Sequence, residues 1–392
     1  MTDARPPHGS GPQARPRVAS ARGACDAVAA SLQRELGGGP FALVLLFSED
    51  GALVGPLSAR LSQAFGPACR VLACSSAGGF TFDGYDQDVA IAIAFPAEAF
   101  RAEAVWLSNL RQHMALDWMV SLRNLEERFR AVPGQARFGL LLIDGTSGCE
   151  ELVTATVDAT LPEVLVLGGS AGDGLRFGQT RLAMDGDDRV ESALFCMIAT
   201  DFAVKEVVFD HFVPVGSRMI VTDADPDNRL IREINAEPAA GEYARLIGLP
   251  ETALDPRAFA ENPLLERSGG RHFVRAISGV TPAGELALMS SIETGAILTL
   301  GRPESLTEGL RHLMQEIGPA ELVLGFDCIL RRIAVEQAGE QATVGHLCRD
   351  YRIAGFNTYG EQHGGIHVNQ TFVGLAILDP AAEGRDGATD AA

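Results

Sequence analysis

No apolar run in this sequence approaches the roughly 18 residues that a membrane helix needs, and its start, Met1 to Arg22, is rich in Pro, Gly and Arg without the apolar centre of a secretory signal. These absences lead us to expect a cytoplasmic protein, neither secreted nor membrane-spanning. Positive charge is scarce: 32 Lys and Arg stand against 51 Asp and Glu, a formal net charge of -19. A polyanion such as DNA is repelled by that balance, so nucleic acid is not expected as a partner. Cys-x-x-Cys pairs are missing too. The seven cysteines (Cys25, Cys69, Cys74, Cys149, Cys196, Cys328, Cys348) are scattered, which fits a reducing compartment rather than a disulfide framework or a zinc site.

What is present is globular composition, 46% hydrophobic and 21% charged over 392 residues. That length implies two domains, or one large domain with a second half appended. Residues 1–22 read as a flexible arm and residues 380–392 as a flexible tail, since both lack apolar periodicity.

Between them one pattern occurs three times. Its first copy is Phe41-Ala-Leu-Val-Leu-Leu-Phe47, a helical stretch, Val71-Leu-Ala-Cys-Ser-Ser-Ala-Gly-Gly79 and Val89-Ala-Ile-Ala-Ile-Ala-Phe95. The second is Phe138-Gly-Leu-Leu-Leu-Ile-Asp144, a helix, Val164-Leu-Val-Leu-Gly-Gly-Ser-Ala-Gly-Asp173 and Ala193-Leu-Phe-Cys-Met-Ile-Ala199. A looser third runs Leu322-Val-Leu-Gly-Phe-Asp327, a helix, Ile353-Ala-Gly-Phe-Asn-Thr-Tyr-Gly-Glu361 and Thr371-Phe-Val-Gly-Leu-Ala-Ile-Leu378. Each copy is strand, helix, strand, Gly turn, strand, and continuously apolar strands are those covered on both faces. The fold class is therefore α/β, with layered mixed sheets built from repeated units and arranged in two halves. Between the second and third copies, residues 223–266 read as helical and polar, with Ile231-Arg-Glu-Ile-Asn235 and Gly241-Glu-Tyr-Ala-Arg-Leu-Ile247 as amphipathic runs. Residues 273–300 read as strands broken by the turn Thr281-Pro-Ala-Gly284.

Gly168-Gly-Ser-Ala-Gly-Asp-Gly174 is Gly-rich enough to suggest a phosphate loop, but it lacks the Gly-Lys-Ser/Thr ending, and residues 175–182 after it read as strand rather than helix. A tight turn beside a small-ligand cleft is the better reading. Ser75, Ser76 and Ser170 have no Gly-x-Ser-x-Gly elbow around them, so turn hydrogen bonding is their ordinary role. A Ser-dependent hydrolase or transferase also needs a base that no neighbouring His supplies, and the protein is not expected to be an enzyme. Of the eight histidines, His363 and His367 have helical ligand spacing, but Gly364 and Gly365 between them point to a loop. His211 lies in Phe209-Asp-His-Phe-Val-Pro-Val-Gly216, between a strand and a Pro/Gly turn, where an exposed loop position is expected. A lone His beside aromatics is more often packed than ligating.

These residues resemble the FIST domain, a bacterial sensory module in N- and C-terminal halves. The likeness rests on Cys74-Ser-Ser-Ala-Gly78, Gly168-Gly-Ser-Ala-Gly-Asp173, Asp327-Cys-Ile-Leu-Arg-Arg332, Gly355-Phe-Asn-Thr-Tyr-Gly-Glu-Gln362 and His367-Val-Asn-Gln-Thr-Phe372. The halves it implies are residues 23–230 and 231–379. Those C-terminal motifs, with Asp210-His-Phe-Val-Pro214 and Thr222-Asp-Ala-Asp-Pro226, are similar to the nitric-oxide-sensing (NosP) branch. That likeness implies a haem b whose iron binds nitric oxide, and control of a separately encoded histidine kinase or cyclic-di-GMP enzyme governing biofilm behaviour; homo-oligomerisation is left open. It ranks His211 first and His367 second as ligand to the haem iron, with Tyr359 in the pocket and Arg331 and Arg332, or Arg176, Arg271 and Arg275, for the propionates. The absence of Cys-x-x-Cys-His makes such a haem non-covalent. The alternative within the family is a haem-free sensor of an amino acid or similar metabolite, anchored by Tyr359, Glu361, Asn369 and Ser170.

Overall fold

A computed structural model describes residues 14–378 except 130, 131, 133, 269 and 270. The apolar pattern becomes three equivalent units. The first comprises β1 (Arg17–Ala21), α1 (Cys25–Leu36), β2 (Phe41–Ser48), α2 (Gly51–Phe65), β3 (Arg70–Ser75), the hairpin β4 (Gly79–Thr81) and β5 (Gly84–Asp86), and β6 (Ala90–Pro96). The second comprises β7 (Phe100–Leu107), α3 (Ala115–Arg128), β8 (Ala136–Ile143), α4 (Glu150–Thr160), β9 (Leu165–Ser170), the hairpin β10 (Leu182–Met184) and β11 (Asp187–Arg189), and β12 (Ala193–Thr200). The third opens with β13 (Val204–Asp210) and is then interrupted. An inserted body follows: β14 (Phe212–Asp225), β15 (Leu230–Ile234), β16 (Glu237–Pro238), α5 (Ala239–Ile247), α6 (Pro256–Glu261), β17 (Leu264–Ser268), β18 (Arg271–Arg275), β19 (Ile277–Val280), β20 (Leu286–Leu288) and β21 (Ile297–Pro303). The unit resumes as α7 (Glu308–Ile317), β22 (Ala320–Cys328), α8 (Ile329–Ala338), α9 (Gln341–Asp350), β23 (Ile353–Thr358), the hairpin β24 (Glu361–His363) and β25 (Ile366–Val368), and β26 (Thr371–Leu378).

Within each unit the first and second apolar strands are parallel, joined by the helical crossover that parallel pairing requires, and the last strand returns antiparallel to the first. Each sheet is completed by a hairpin from another unit. The orders are β1-β6-β2-β3-β10-β11, β25-β24-β9-β8-β12-β7 and β13-β26-β22-β23-β4-β5. The exchange closes in a ring: unit one lends its hairpin to unit three, unit two to unit one, and unit three to unit two. An isolated unit would expose a sheet edge that its neighbour now covers, so the three fold as one body.

Strand periodicity explains why these strands are apolar without alternation. Leu43, Leu45, Phe47, Leu140, Leu142, Leu324 and Phe326 face inward into one shared core. The intervening Val44 and Leu46 lie under helices with Leu32 and Leu57, Leu141 and Ile143 with Leu122 and Val153, and Val323 with Met314 and Val344. Both faces are therefore buried. Among the described residues no helix is long and apolar enough to cross a membrane.

The structure departs from the sequence reading in several places. The expected arm ends earlier than residue 22, because Arg17–Ala21 pairs with Ala90–Ala94 as an edge strand and buries Ala19 and Ala21. Its small side chains hid it. Residues 1–13 and the expected tail 380–392 lie outside the described residues. Ile231-Arg-Glu-Ile is strand β15 rather than helix, fixed by pairing with β14 and β20, whereas the second amphipathic run is helix α5 as expected. Residues 175–181 form a loop rather than a strand. The division drawn at 230/231 falls at the start of β15, inside the inserted sheet.

Candidate functional site

The three Gly turns occupy equivalent places and interlock. Ala77 N donates to Asn357 O at 2.9 Å and Asn357 N to Gly78 O at 2.9 Å; Gly172 N donates to Ser75 O at 3.1 Å, and Ser170 N to Gly360 O at 2.8 Å. Such approach needs missing side chains: a Cβ on Gly172 would lie 2.8 Å from Ala77 N, and one on Gly360 would lie 2.2 Å from His367 Cε1. The turns thus pack directly on one another.

The polar residues assigned to that cleft bond among themselves. The Tyr359 hydroxyl donates to Asp173, and the Asp173 carboxylate also accepts from Gly178 N and Gln179 N, each at 3.0 Å. Burial works against that carboxylate's charge, yet these bonds hold it below its ordinary range. Ser170 Oγ accepts from Gln362 Nε2 at 2.8 Å, and Asn369 Nδ2 donates to Tyr359 O at 3.2 Å. Glu361 accepts from the Thr358 hydroxyl, and burial first, then Asp327, pushes its carboxyl well above the usual range. Ser170 reaches His367 only through the Gln362 amide, 3.2 Å from Nδ1, so no serine–histidine pair exists there.

His367 is buried over Gly360. Burial, with Arg229 and Arg275 beside it, lowers its pKa to about 4 although the Glu151 carboxylate opposes this. Its carbonyl accepts from Arg275 Nη1 at 3.2 Å. Arg331 and Arg332 are internal ties: Arg331 pairs with Asp327 at 2.6 Å and donates to Leu306 O at 2.9 Å, and Arg332 pairs with Glu336 at 2.8 Å and donates to Ala77 O at 2.9 Å. Arg275 pairs with Glu266 at 2.6 Å. Arg176 is exposed on the 174–179 loop near Asp173, and the Arg271 side chain lies outside the described residues. His363 forms a tight pair with Glu206.

His211 stands elsewhere, at the single residue joining β13 to β14. Strand alternation puts its neighbours Asp210 and Phe212 on one side, lining a cavity of about 340 Å³ with His272 and His363. His211 lines a second cleft, of about 550 Å³, with Arg257, Ala260 and Glu261 of α6, Pro303 at the end of β21, Glu304 and Leu306 after it, and Ala334, Gln337 and Ala338 of α8. It is not the exposed loop residue the sequence suggested: it is 6% exposed, its ring lies 3.9 Å from that of Phe212, and its carbonyl accepts from Glu304 N at 2.7 Å. Burial, then the Arg331 cation, drives its pKa down to about 3. The imidazole is therefore neutral at physiological pH, and its buried Nδ1 has no hydrogen-bond partner. Arg257, on a helix 46 residues away in sequence, was not anticipated; only the fold brings α6 and α8 to His211. Neither His367 nor Tyr359 lines the cleft at His211.

No metal-binding cluster of three or more His, Cys, Asp or Glu occurs among the described residues; an iron in a macrocycle needs only one such side chain. Burial pushes the Cys328 thiol well up, which disfavours a thiolate ligand.

No curated protein matches the chain. Two family profiles do, a FIST N domain over residues 42–237 and a FIST C domain over residues 239–363. FIST domains are sensory modules of signal transduction, a role that fits a non-enzyme. The interlocked repeats and their insertion are thus the architecture of a signal-transduction sensor, and the chain belongs to the FIST family.

Proposed function

We propose that the protein takes its ligand in the cleft at His211, that the bound group is haem b, and that nitric oxide is the signal passed on to a separate histidine kinase or cyclic-di-GMP enzyme. The observation carrying this reading is the buried, neutral imidazole whose Nδ1 lacks a partner at the wall of a 550 Å³ cleft. Buried polar atoms are normally satisfied; Nδ1 is enclosed without a partner, and a turn of the ring toward an occupant of the cleft would give it one. The cleft volume lies within the range of small-molecule and cofactor sites. Haem, when bound, would supply an iron able to take a diatomic gas.

The residues of the chain divide the remaining work. His211 presents an unprotonated nitrogen for ligation, Ala260, Leu306, Ala334 and Ala338 give apolar wall, and Arg257, paired with Glu261 at 2.8 Å, places a cation at the margin. Arg331 and Arg332 are committed to Asp327 and Glu336. His367, the second choice, is enclosed by the turns.

The test is the purified chain supplied with haemin, compared with His211→Ala and His367→Ala. A Soret band in the wild type that is lost or strongly shifted only in His211→Ala is expected, and acid-acetone should extract the haem. A colourless wild type removes the haem reading. Loss in His367→Ala alone moves the site to the turns.

One observation favours a haem-free reading. Arg257 shares the cleft with Glu261, Glu304 and Gln337, groups suited to the two charged ends of an amino acid. A colourless protein whose melting temperature rises with an amino acid, and falls back in Arg257→Ala, would select it.

A further inference from the structure

The inserted body has an interior of its own: its main cluster is built from Val221, Ile234, Tyr243, Phe259, Leu298 and neighbours, all within the insertion. A segment with its own core can move as a unit. The chain passes between insertion and core twice, and the two passages lie side by side. Phe212 pairs with Pro303, and Glu304 N donates to His211 O at 2.7 Å. Two adjacent extended passages at element ends have the geometry of a hinge.

Near this crossing β18 also leans on the core, with Phe273 against the shared core cluster, Leu330 of α8 against Leu265 and Val274, and Arg275 Nη1 donating to His367 O at 3.2 Å. At the far end the two bodies are tied by charge. Arg229, in the β14–β15 turn, places Nη2 at 2.7 Å from Glu150 Oε2 and 2.9 Å from Glu151 Oε2, both in the first turn of α4. Glu151 Oε1 also accepts from Ser291 N at 2.6 Å, while Arg229 Nη1 holds Met289 O at 2.8 Å. Arg229 has φ +56, a left-handed conformation that costs a non-glycine residue energy and persists where its surroundings impose it. The His211 cleft lies between the bodies, with α6 of the insertion on one wall and α8 of the core on another. Any occupant touches both, so its affinity depends on the angle between them.

We propose that residues 212–303 rock about the His211–Glu304 crossing as the signalling element, with Arg229, Glu150 and Glu151 as the latch that holds the resting angle. Ligand binding and latch closure are then coupled, and the coupling is reciprocal. This regulation rests on the reading of the His211 cleft as the ligand site. The signal leaves through the position of the insertion, which a partner protein reads as a change of surface.

Hydrogen exchange by mass spectrometry on the full chain, comparing wild type, Arg229→Ala and Arg229→Lys, tests the hinge without ligand. In Arg229→Ala the amides of Ser291 and Glu304 should exchange roughly tenfold faster or more, while those of Val221 and Leu298 keep wild-type protection. Lysine, which keeps the charge but loses the fork, should fall between. Unchanged exchange at Glu304 overturns the proposal, as does equal loss at Val221 and Leu298, which would make the cluster part of the insertion's fold. Haemin titration adds the coupling: the affinity of Arg229→Ala should differ severalfold from wild type, and identical affinities refute the link. Should wild type bind no haemin, the haem reading fails, and the exchange comparison still decides the hinge.

Discussion

Replacing His211 with leucine should stabilise the protein without ligand, by an amount that grows on acidification. The imidazole is 6% exposed and its Nδ1 has no partner. Leaving such a group unsatisfied costs about 1–3 kcal/mol, and leucine fills a similar space at no such cost. Titration adds a second contribution. The folded pKa is depressed from 6.5 to about 3, by burial first and then Arg331, so the unfolded chain takes up a proton that the folded one refuses. The stability held above the unfolded pKa is therefore lost as pH falls from about 6.5 toward about 3. At pH 5 the loss comes to about 2 kcal/mol, and the leucine variant escapes it. The expected advantage of His211→Leu is about 1 kcal/mol at pH 7.5 and about 3 kcal/mol at pH 5. Urea unfolding of both proteins at several pH values, followed by circular dichroism, measures it. Taking the difference between them cancels other groups, including His367, depressed to about 4, and Glu150, raised to about 7 chiefly by burial and acting with the opposite sign. A pH-independent difference would refute the buried neutral imidazole. A loss of about 2 kcal/mol or more at pH 7.5 would show that the ring's packing outweighs its unsatisfied nitrogen. A residue whose removal stabilises the fold is kept for function, and that is the sense in which this experiment bears on the cleft.

Two further outcomes follow from the core. Gly355→Ala would set a Cβ 1.8 Å from Gly325 O in the adjacent parallel strand, so β22 and β23 must part; a loss of about 3 kcal/mol or more is expected, read as a fall in melting temperature, and a near-neutral result would contradict this strand spacing. Tyr359→Phe removes the hydroxyl that Asp173 accepts and that also takes Phe177 N at 3.2 Å, so the loop carrying exposed Leu175, Arg176 and Phe177 should loosen; limited trypsin digestion at Arg176 should speed up several-fold while the melting temperature falls by only a few degrees, and unchanged cleavage would show that ring stacking alone holds the loop.

Side-chain periodicity is local, and what depends on it was legible in the sequence. Phe41–Phe47, Phe138–Asp144 and Leu322–Asp327 announced strands covered on both faces, the glycines marked equivalent turns, and the FIST resemblance followed from motifs in order. Pairing is not local. Nothing in Leu182–Met184 says that it completes the sheet of Arg70–Ser75, and Ile231-Arg-Glu-Ile fits helix or strand until β14 and β20 lie beside it. The candidate site was divided in the same way. His211 could be singled out by residue type and motif, but its burial, its unsatisfied nitrogen and its place at a hinge arise because Arg257, Glu304 and Ala334 converge on it from separate elements. Tyr359, Arg331 and Arg332, named from the same kind of motif, became internal ties of the interlocked turns and helix α8. The sequence determined which segments could be strands, helices and turns; the tertiary structure decided which polar groups found partners within the chain, because a hydrogen bond is satisfied by proximity in space and not along the backbone.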